Sequence, residues 1–310
     1  MSDAPELSRL NYVNVAAYVF NVIFTYGIGV AGIGGLPNNS DLSLKYQTLV
    51  TPIGWAFSIW GPIFISQAVF TVAQLLPKYR ANPLVTEGVG YWYAGVCVAQ
   101  SLWTISFSLE VNWLAFIFMF AILGLLAKLS QSQYNLDPET NGEWWLFKFP
   151  FQLHLGWIIA ASFVNFSVLL VDYGSSDNMS QQISVAICSL GCVWAIALYV
   201  LFVLEKPLIT VGGVASWALG GIAAQLASPM DKTVAQFATF GQGGDEVVDT
   251  VVLDGIGGAA AILAVFFAVV VALEIANLTY RQCVGKQVES EKMRTFSAPL
   301  TGTGRGVEAV

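Results

Sequence analysis

Eight stretches of this chain are apolar over about the length of a bilayer crossing, and that feature confines it to one architecture. A hydrocarbon core about 30 Å thick takes about 20 residues of helix. The stretches fall at 11–33, 54–77, 91–110, 112–130, 150–172, 184–204, 207–227 and 255–279. Inside lipid every backbone N–H and C=O must be satisfied within its own segment, so the expected fold is all-α, a polytopic membrane helical bundle. Composition agrees: 56% of residues are hydrophobic and 11% charged, less than half of the roughly 25% charge that solvates an ordinary globular surface. The first stretch follows Arg9 with no cleavage site and is too long for a signal-peptide core, so it reads as retained. Only Glu110-Val111-Asn112 separates the third and fourth stretches, which leaves one long, broken segment as an alternative.

Basic residues test the count, because each span added or removed flips the side of every later loop. With eight spans, one side receives Arg9, Lys78, Arg80, Lys128, Lys148, Lys206, Arg281, Lys286, Lys292, Arg294 and Arg305, and the other only Lys45 and Lys232. Merging the third and fourth stretches destroys that bias. Both termini are therefore expected on the cytoplasmic side of a multi-pass integral membrane protein; nothing marks an organelle. The acids divide almost evenly, which places the net charge of −7 on the far face, much of it in 228–254 through Asp231, Asp245, Glu246, Asp249 and Asp254. An acidic chain has no basic face with which to displace counterions, so nucleic acid is excluded as a partner. One histidine and four scattered cysteines exclude a multi-ligand zinc site of the usual spacing. Residues 281–310 are polar and aperiodic and are expected to form a disordered cytoplasmic tail, as 1–10 form a short cytoplasmic N-terminus.

Chemistry concentrates in two stretches. The second opens Thr51-Pro52-Ile53-Gly54-Trp55-Ala56-Phe57-Ser58-Ile59-Trp60-Gly61-Pro62. Pro52 and Gly54 suit a helix start, and Pro62 frees the Ser58 carbonyl and predicts a kink. Trp55 and Trp60 stand about 140° apart on an ideal helix, so they need not face the same way. In the fifth stretch Asn165 lies deep, where an unpaired amide is costly, and so should face the bundle interior, within about 80° of the face of Trp157. An interhelical hydrogen bond and a ligand-facing amide both satisfy that demand. His154, the one imidazole, is a candidate axial ligand for haem or chlorophyll, against the plainer role of a residue near a helix end. Cys97, Cys188, Cys192 and Cys283 read as packing residues. The run from Gly212-Gly213 through Ser216 to Gly220-Gly221 is a small-residue face for close helix contact, within the bundle or between protomers. There is no phosphate-binding loop, dinucleotide fingerprint or paired intramembrane carboxylate, so the chain does not read as an enzyme.

Three motifs in order carry a resemblance. Pro52-Ile53-Gly54-Trp55-Ala56-Phe57 matches a Pro-x-Gly-Trp-x-Phe helix start; Gln100, Trp103 and Phe107 stand where Asn-x-x-Trp and a following Phe are expected; and Trp157 precedes Asn165 within Ala161-Ser162-Phe163-Val164-Asn165-Phe166-Ser167. On these residues the chain resembles the tryptophan-rich sensory protein and translocator protein family (TspO/MBR). The resemblance covers residues 11–173 and implies a five-helix membrane core. The three further spans in 174–280 have no counterpart in short members, although longer relatives share the form Phe57-Ser58-Ile59-Trp60-Gly61. Two departures stand out: Trp55 to Trp60 is one residue shorter than the usual spacing, and Gln100 replaces Asn.

The resemblance implies a cavity that opens toward the first loop, with residues 34–53 as a lid and Trp55, Trp60, Gln100, Trp103, Trp157 and Asn165 as ligand-binding candidates. The ligands it implies are hydrophobic small molecules: porphyrin, haem or a chlorophyll-type tetrapyrrole, or a sterol, with no cofactor required. The expected function is that of a receptor or transporter in the lipid bilayer. The alternative is a structural or accessory subunit of a larger membrane complex, such as a pigment–protein assembly, with the extra helices as docking surface; a homodimer is the other partner expected. Light-driven oxidation of porphyrin is the one enzymatic reading left, and nothing in the sequence requires it. Of ten tryptophans, Trp92, Trp144 and Trp145 read as an interfacial belt near helix ends, as does Trp113. Trp194 and Trp217 receive no role.

Overall fold

A computed structural model describes residues 5–173, 179–227 and 250–296. The acidic residues Asp231, Asp245, Glu246 and Asp249, and the last part of the tail from 297 on, lie outside them.

Helix α1, Arg9–Phe24, starts where the Asn11 carboxamide oxygen accepts the Ser8 N–H at 2.9 Å, and it relaxes into a wider π turn over Thr25–Val30. A short helix, α2 (Asn39–Lys45), follows. A 3₁₀ turn at Gly54–Ile59 leads into α3, Trp60–Ala73. Then come α4 (Trp92–Ser108), α5 (Asn112–Tyr134) and α6 (Phe149–Asp172) with Pro150 in its first turn, where no N–H partner is lost. Beyond the five-helix core lie α7 (Met179–Leu198), α8 (Ile209–Ala227) and α9 (Thr250–Phe296). The chain divides into two compact units at Ala268: the first holds α1–α8 with the start of α9, and the second holds the rest of α9.

Among the described residues, seven segments are long and apolar enough to cross a membrane by length and composition. The third expected span is the exception, because α4 has only 17 residues, about 25 Å at 1.5 Å per residue. It is nonetheless separate from α5. Glu110 takes a left-handed φ of 58°, and the Val111 and Glu110 N–H groups close back on Ser106 and Phe107 carbonyls at 2.9 Å. This is a Schellman ending with glutamate where glycine is usual, and it rules out the single merged segment.

Contacts between loops show that α4 runs from one end of the bundle to the other. At one end Arg80 donates to the Pro5 carbonyl (3.0 Å), Asn82 to Glu143 (3.2 Å) and Lys206 to Asp137 (2.6 Å). At the other, Lys45 and Tyr46 meet Glu110. Loops 78–82, 137–143 and 204–206 therefore share an end, and loops 31–53 and 109–111 share the opposite one. That is the alternation expected if α1, α3, α4, α5 and α6 cross in succession.

Polar seams hold α1 in place. Asn11, Asn14, Asn21 and Thr25 form a buried stripe. Asn14 donates to Gln74 of the α3 end at 3.2 Å and Asn21 to Gln100 of α4 at 3.2 Å. Such amide pairs are the glue available where lipid removes the hydrophobic driving force between helices. The end near loop 78–82 is sealed by Phe70, Tyr93, Phe147 and Phe151, all within 1% of full burial. The small-residue face of α8 also works within the chain: a Cβ on Gly212 would meet Leu201 at 2.7 Å, and Ser216 donates to the Ala264 carbonyl at 2.7 Å.

The tail is a correction. Helix α9 continues through 281–296 to Phe296, where the sequence reading expects no structure. That segment is rich in Arg, Lys, Gln and Glu, all good helix formers, and Pro299 is the first proline after it.

Candidate functional site: an aromatic-walled cavity under the first loop

The site begins with the chain leaving α1. Gly32, Gly34 and Gly35 take φ of 61°, 83° and 76°, a region that only glycine enters without strain, and this lets the loop turn back over the bundle mouth. Helix α2 then lies across the opening, its N-terminus capped by the Asn38 carboxamide oxygen accepting from the Asp41 N–H at 2.9 Å. Residues Tyr46–Pro52 are buried beneath it. The far end of this lid is clasped: Lys45 pairs with Glu110, and the Tyr46 hydroxyl donates to the same carboxylate at 2.6 Å. Hydrogen bonds first from Lys45 and then from Tyr46 hold the Glu110 carboxyl below its ordinary range, and the Glu110 bond raises the Lys45 ammonium in turn.

Below the lid lies a cavity of about 560 Å³ lined by Thr25, Tyr26, Gly29, Asn39, Ser43, Gln47, Phe57, Trp60, Phe64, Trp103 and Gln225, among others. A narrower arm of about 60 Å³ reaches deeper, among Trp60, Trp103, Phe107, Met119, Trp157 and Asn165. The larger volume falls inside the range of about 300–1,000 Å³ typical of small-molecule sites. Neither lining includes a charged side chain.

One hydrogen bond organises the walls. The Trp103 indole N–H donates to the Asn165 carboxamide oxygen at 3.0 Å, joining α4 to α6, while the Asn165 amide donates to its own helix at Ala161 O, 3.1 Å away. Trp103 stacks on Phe107 with centroids 5.4 Å apart. Trp157 receives two rings edge-on, Phe57 at 5.6 Å and Trp60 at 6.2 Å, in the geometry that ring quadrupoles favour. Two buried polar atoms of the lining have no hydrogen-bond partner among the described residues, the Trp157 Nε1 donor and the Asn39 Oδ1 acceptor. Groups of this kind are costly to leave unmade, and a ligand with one acceptor and one donor satisfies both.

Of the six candidates, Trp60, Trp103, Trp157 and Asn165 come together here; Trp55 and Gln100 do not. The 3₁₀ turn repeats every three residues and carries Trp55 to the outer side, where it is 46% exposed and meets Trp217 edge-on at 4.8 Å. Gln100 is fully buried but its carboxamide oxygen accepts from Asn21, so it serves the α1–α4 contact. His154 does not reach the cavity either. Its Nδ1 lies 3.0 Å from the Gln67 amide, the Tyr93 hydroxyl donates to Gln67 at 3.2 Å, and the ring sits behind Trp60. An axial bond from His154 to a haem or chlorophyll metal in this cavity does not fit that position.

Several lining residues are not among the six candidates, Asn39, Phe57 and Gln225 among them. Gln225 had a usable signal, since it is an amide inside an apolar span, the argument that found Asn165. Phe57 was visible within the second-stretch motif. Asn39 opens the short helix α2 outside the apolar spans, where an asparagine carries no such signal.

A family model described as TSPO-like protein matches residues 11–243, which reaches past the five-helix core through α7 and α8. No curated protein and no solved structure matches the chain.

Proposed function

Since the chain belongs to the TSPO-like protein family, we propose that this membrane protein is a receptor or carrier for a flat, largely apolar molecule of the tetrapyrrole or sterol kind. The ligand is held under the lid among Trp60, Trp103, Trp157 and Asn165. The observation that carries this reading is the Trp103–Asn165 bond at 3.0 Å, set in an uncharged aromatic wall beside an unpaired indole donor and an unpaired amide acceptor. Indole faces stack on a conjugated ring, and the two unpaired groups orient its polar edge. With no acid or base in the lining, the cavity is suited to binding rather than to proton transfer.

Lys45 is the one described cation at the lid end, whereas Arg80, Lys78 and Lys206 are at the other. By the positive-inside rule the lid then opens on the non-cytoplasmic side. The test of binding is titration of purified full-length protein with protoporphyrin IX, followed by tryptophan fluorescence. Saturable quenching that weakens in Asn165→Ala and Trp157→Ala, with helicity unchanged, supports the reading. Equal affinity in all three proteins overturns it.

A further inference from the structure

We infer that α8, which lies outside the five-helix core, is a wall of the ligand cavity: it fixes the position of the Pro52–Phe57 turn and contributes Gln225 to the lining. The inference rests on the cavity reading above and says which helix completes it.

Four independent contacts converge. The Ile53 N–H, free at the start of the 3₁₀ turn, donates to the Gly221 carbonyl at 3.0 Å, an unusual backbone bond into the side of another helix. The Trp217 indole N–H, one turn earlier on α8, donates to the Ala56 carbonyl at 2.9 Å. Its ring also stands edge-on against Trp55. Between these bonds the two segments touch: a Cβ on Gly221 would lie 2.7 Å from Ala56 Cβ, closer than carbon atoms approach, and a tight 3.1 Å from Pro52 Cβ. One turn further on, Gln225 is 3% exposed and lines the cavity together with Pro52, Gly54, Phe57 and Trp60.

The consequence is geometric. Phe57 and Trp60 can pack on Trp157 only if the turn carrying them is held at this depth, and the grip comes from α8. Residue 221 must therefore be glycine for the cavity to keep its shape. The neighbouring Gly220 has no such demand, since its Cβ would meet only Ala264 Cβ at 4.0 Å, ordinary contact. Gly221→Ala and Gly220→Ala form a matched pair, because both gain the same helix propensity and only one must displace the turn.

The experiment has two arms, on the full chain in detergent with Cys188, Cys192 and Cys283 changed to serine. In the ligand-free arm, Ser43→Cys, on α2 in the cavity lining, is labelled with a water-soluble thiol reagent. Gly221→Ala and Trp217→Phe are expected to raise its labelling rate severalfold, and Gly220→Ala to leave it unchanged. Equal rates in all backgrounds overturn the inference. In the ligand arm, Gly221→Ala is expected to weaken protoporphyrin IX binding about tenfold, the size of a shift of about 1.4 kcal/mol, and Gln225→Leu by a smaller factor. If Trp103→Phe weakens binding and neither α8 change does, the role of α8 falls and the cavity reading stands. If the unaltered chain binds no porphyrin, the cavity reading fails for that ligand, and the labelling rates alone decide for or against α8.

Discussion

At the end of the bundle near loop 78–82, Phe70, Tyr93 and Phe151 stand edge to face at 4.9–5.5 Å and leave no room between them. At the lid end, Trp157 holds Phe57 at 5.6 Å and Trp60 at 6.2 Å in the same T-shaped geometry, yet these rings border a cavity. The density of rings is similar, so aromatic content does not separate a seal from a site. What differs is what the polar bonds do. At the sealed end the Tyr93 hydroxyl is bonded to Gln67 and the rings still close on one another. At the lid end Trp103 is tied to Asn165 and the Pro52–Phe57 turn is tied to α8, so the rings are held apart by bonds.

The contrast is sharpest in Phe151→Ala. Removing a fully buried ring from the seal is expected to cost about 3–5 kcal/mol, read as a lower unfolding temperature in detergent, while the molecules that remain folded bind porphyrin as before. Trp103→Phe tests the other end. The ring survives but the donor is lost, leaving the Asn165 oxygen buried without its partner, a cost of about 1–3 kcal/mol. Here affinity is expected to fall together with stability. If Phe151→Ala changes affinity as much as Trp103→Phe does, the two ends are not functionally distinct.

Third in size is Gln100→Leu. Because Gln100 holds Asn21 and does not line the cavity, its removal is expected to cost about 0.6–1.7 kcal/mol, the range of intramembrane side-chain hydrogen bonds. Binding should be unchanged when measured by fluorescence titration. A loss of affinity without a loss of stability would return Gln100 to the site.

These expectations also mark what the sequence made legible. Hydropathy located the long helices of the described residues, seven of them in segments long and apolar enough to cross a membrane, and charge alternation kept α4 and α5 apart although only Leu109–Val111 divides them. Asn165 and Trp157 were readable because a deep amide needs a partner and eight residues on a helix return to within about 80° of the same face. Trp55 was not, because its place depends on a 3₁₀ turn, and the choice between three and 3.6 residues per turn is made by the bonds of Ile53 and Ala56 to α8, a helix more than 150 residues later. Gln100 failed for a related reason: a buried amide announces a partner but not which one. The end of α9 was misplaced because its charged residues suit solvent and helix equally.

The smallest effect belongs to the lid clasp. The Glu110 carboxyl is held below its ordinary value of 4.5 by Lys45 and Tyr46. The contribution of that pair is complete above that value and is lost as the pH falls through the lowered one. Lys45 and Glu110 are both partly exposed, so the pair is worth at most about 1 kcal/mol. Glu110→Gln is expected to mimic the acid state at neutral pH, with faster labelling of a cysteine at Ser43 and no shift in the unfolding temperature beyond that amount.

The central claim is that the lid end, and not the sealed end, holds the ligand. Its most direct measurement is the protoporphyrin IX dissociation constant, from tryptophan quenching, of Trp157→Ala beside Phe151→Ala in folded, monodisperse protein. At least about a tenfold loss in the first and none in the second is the predicted result. Equal constants in the two variants would contradict it.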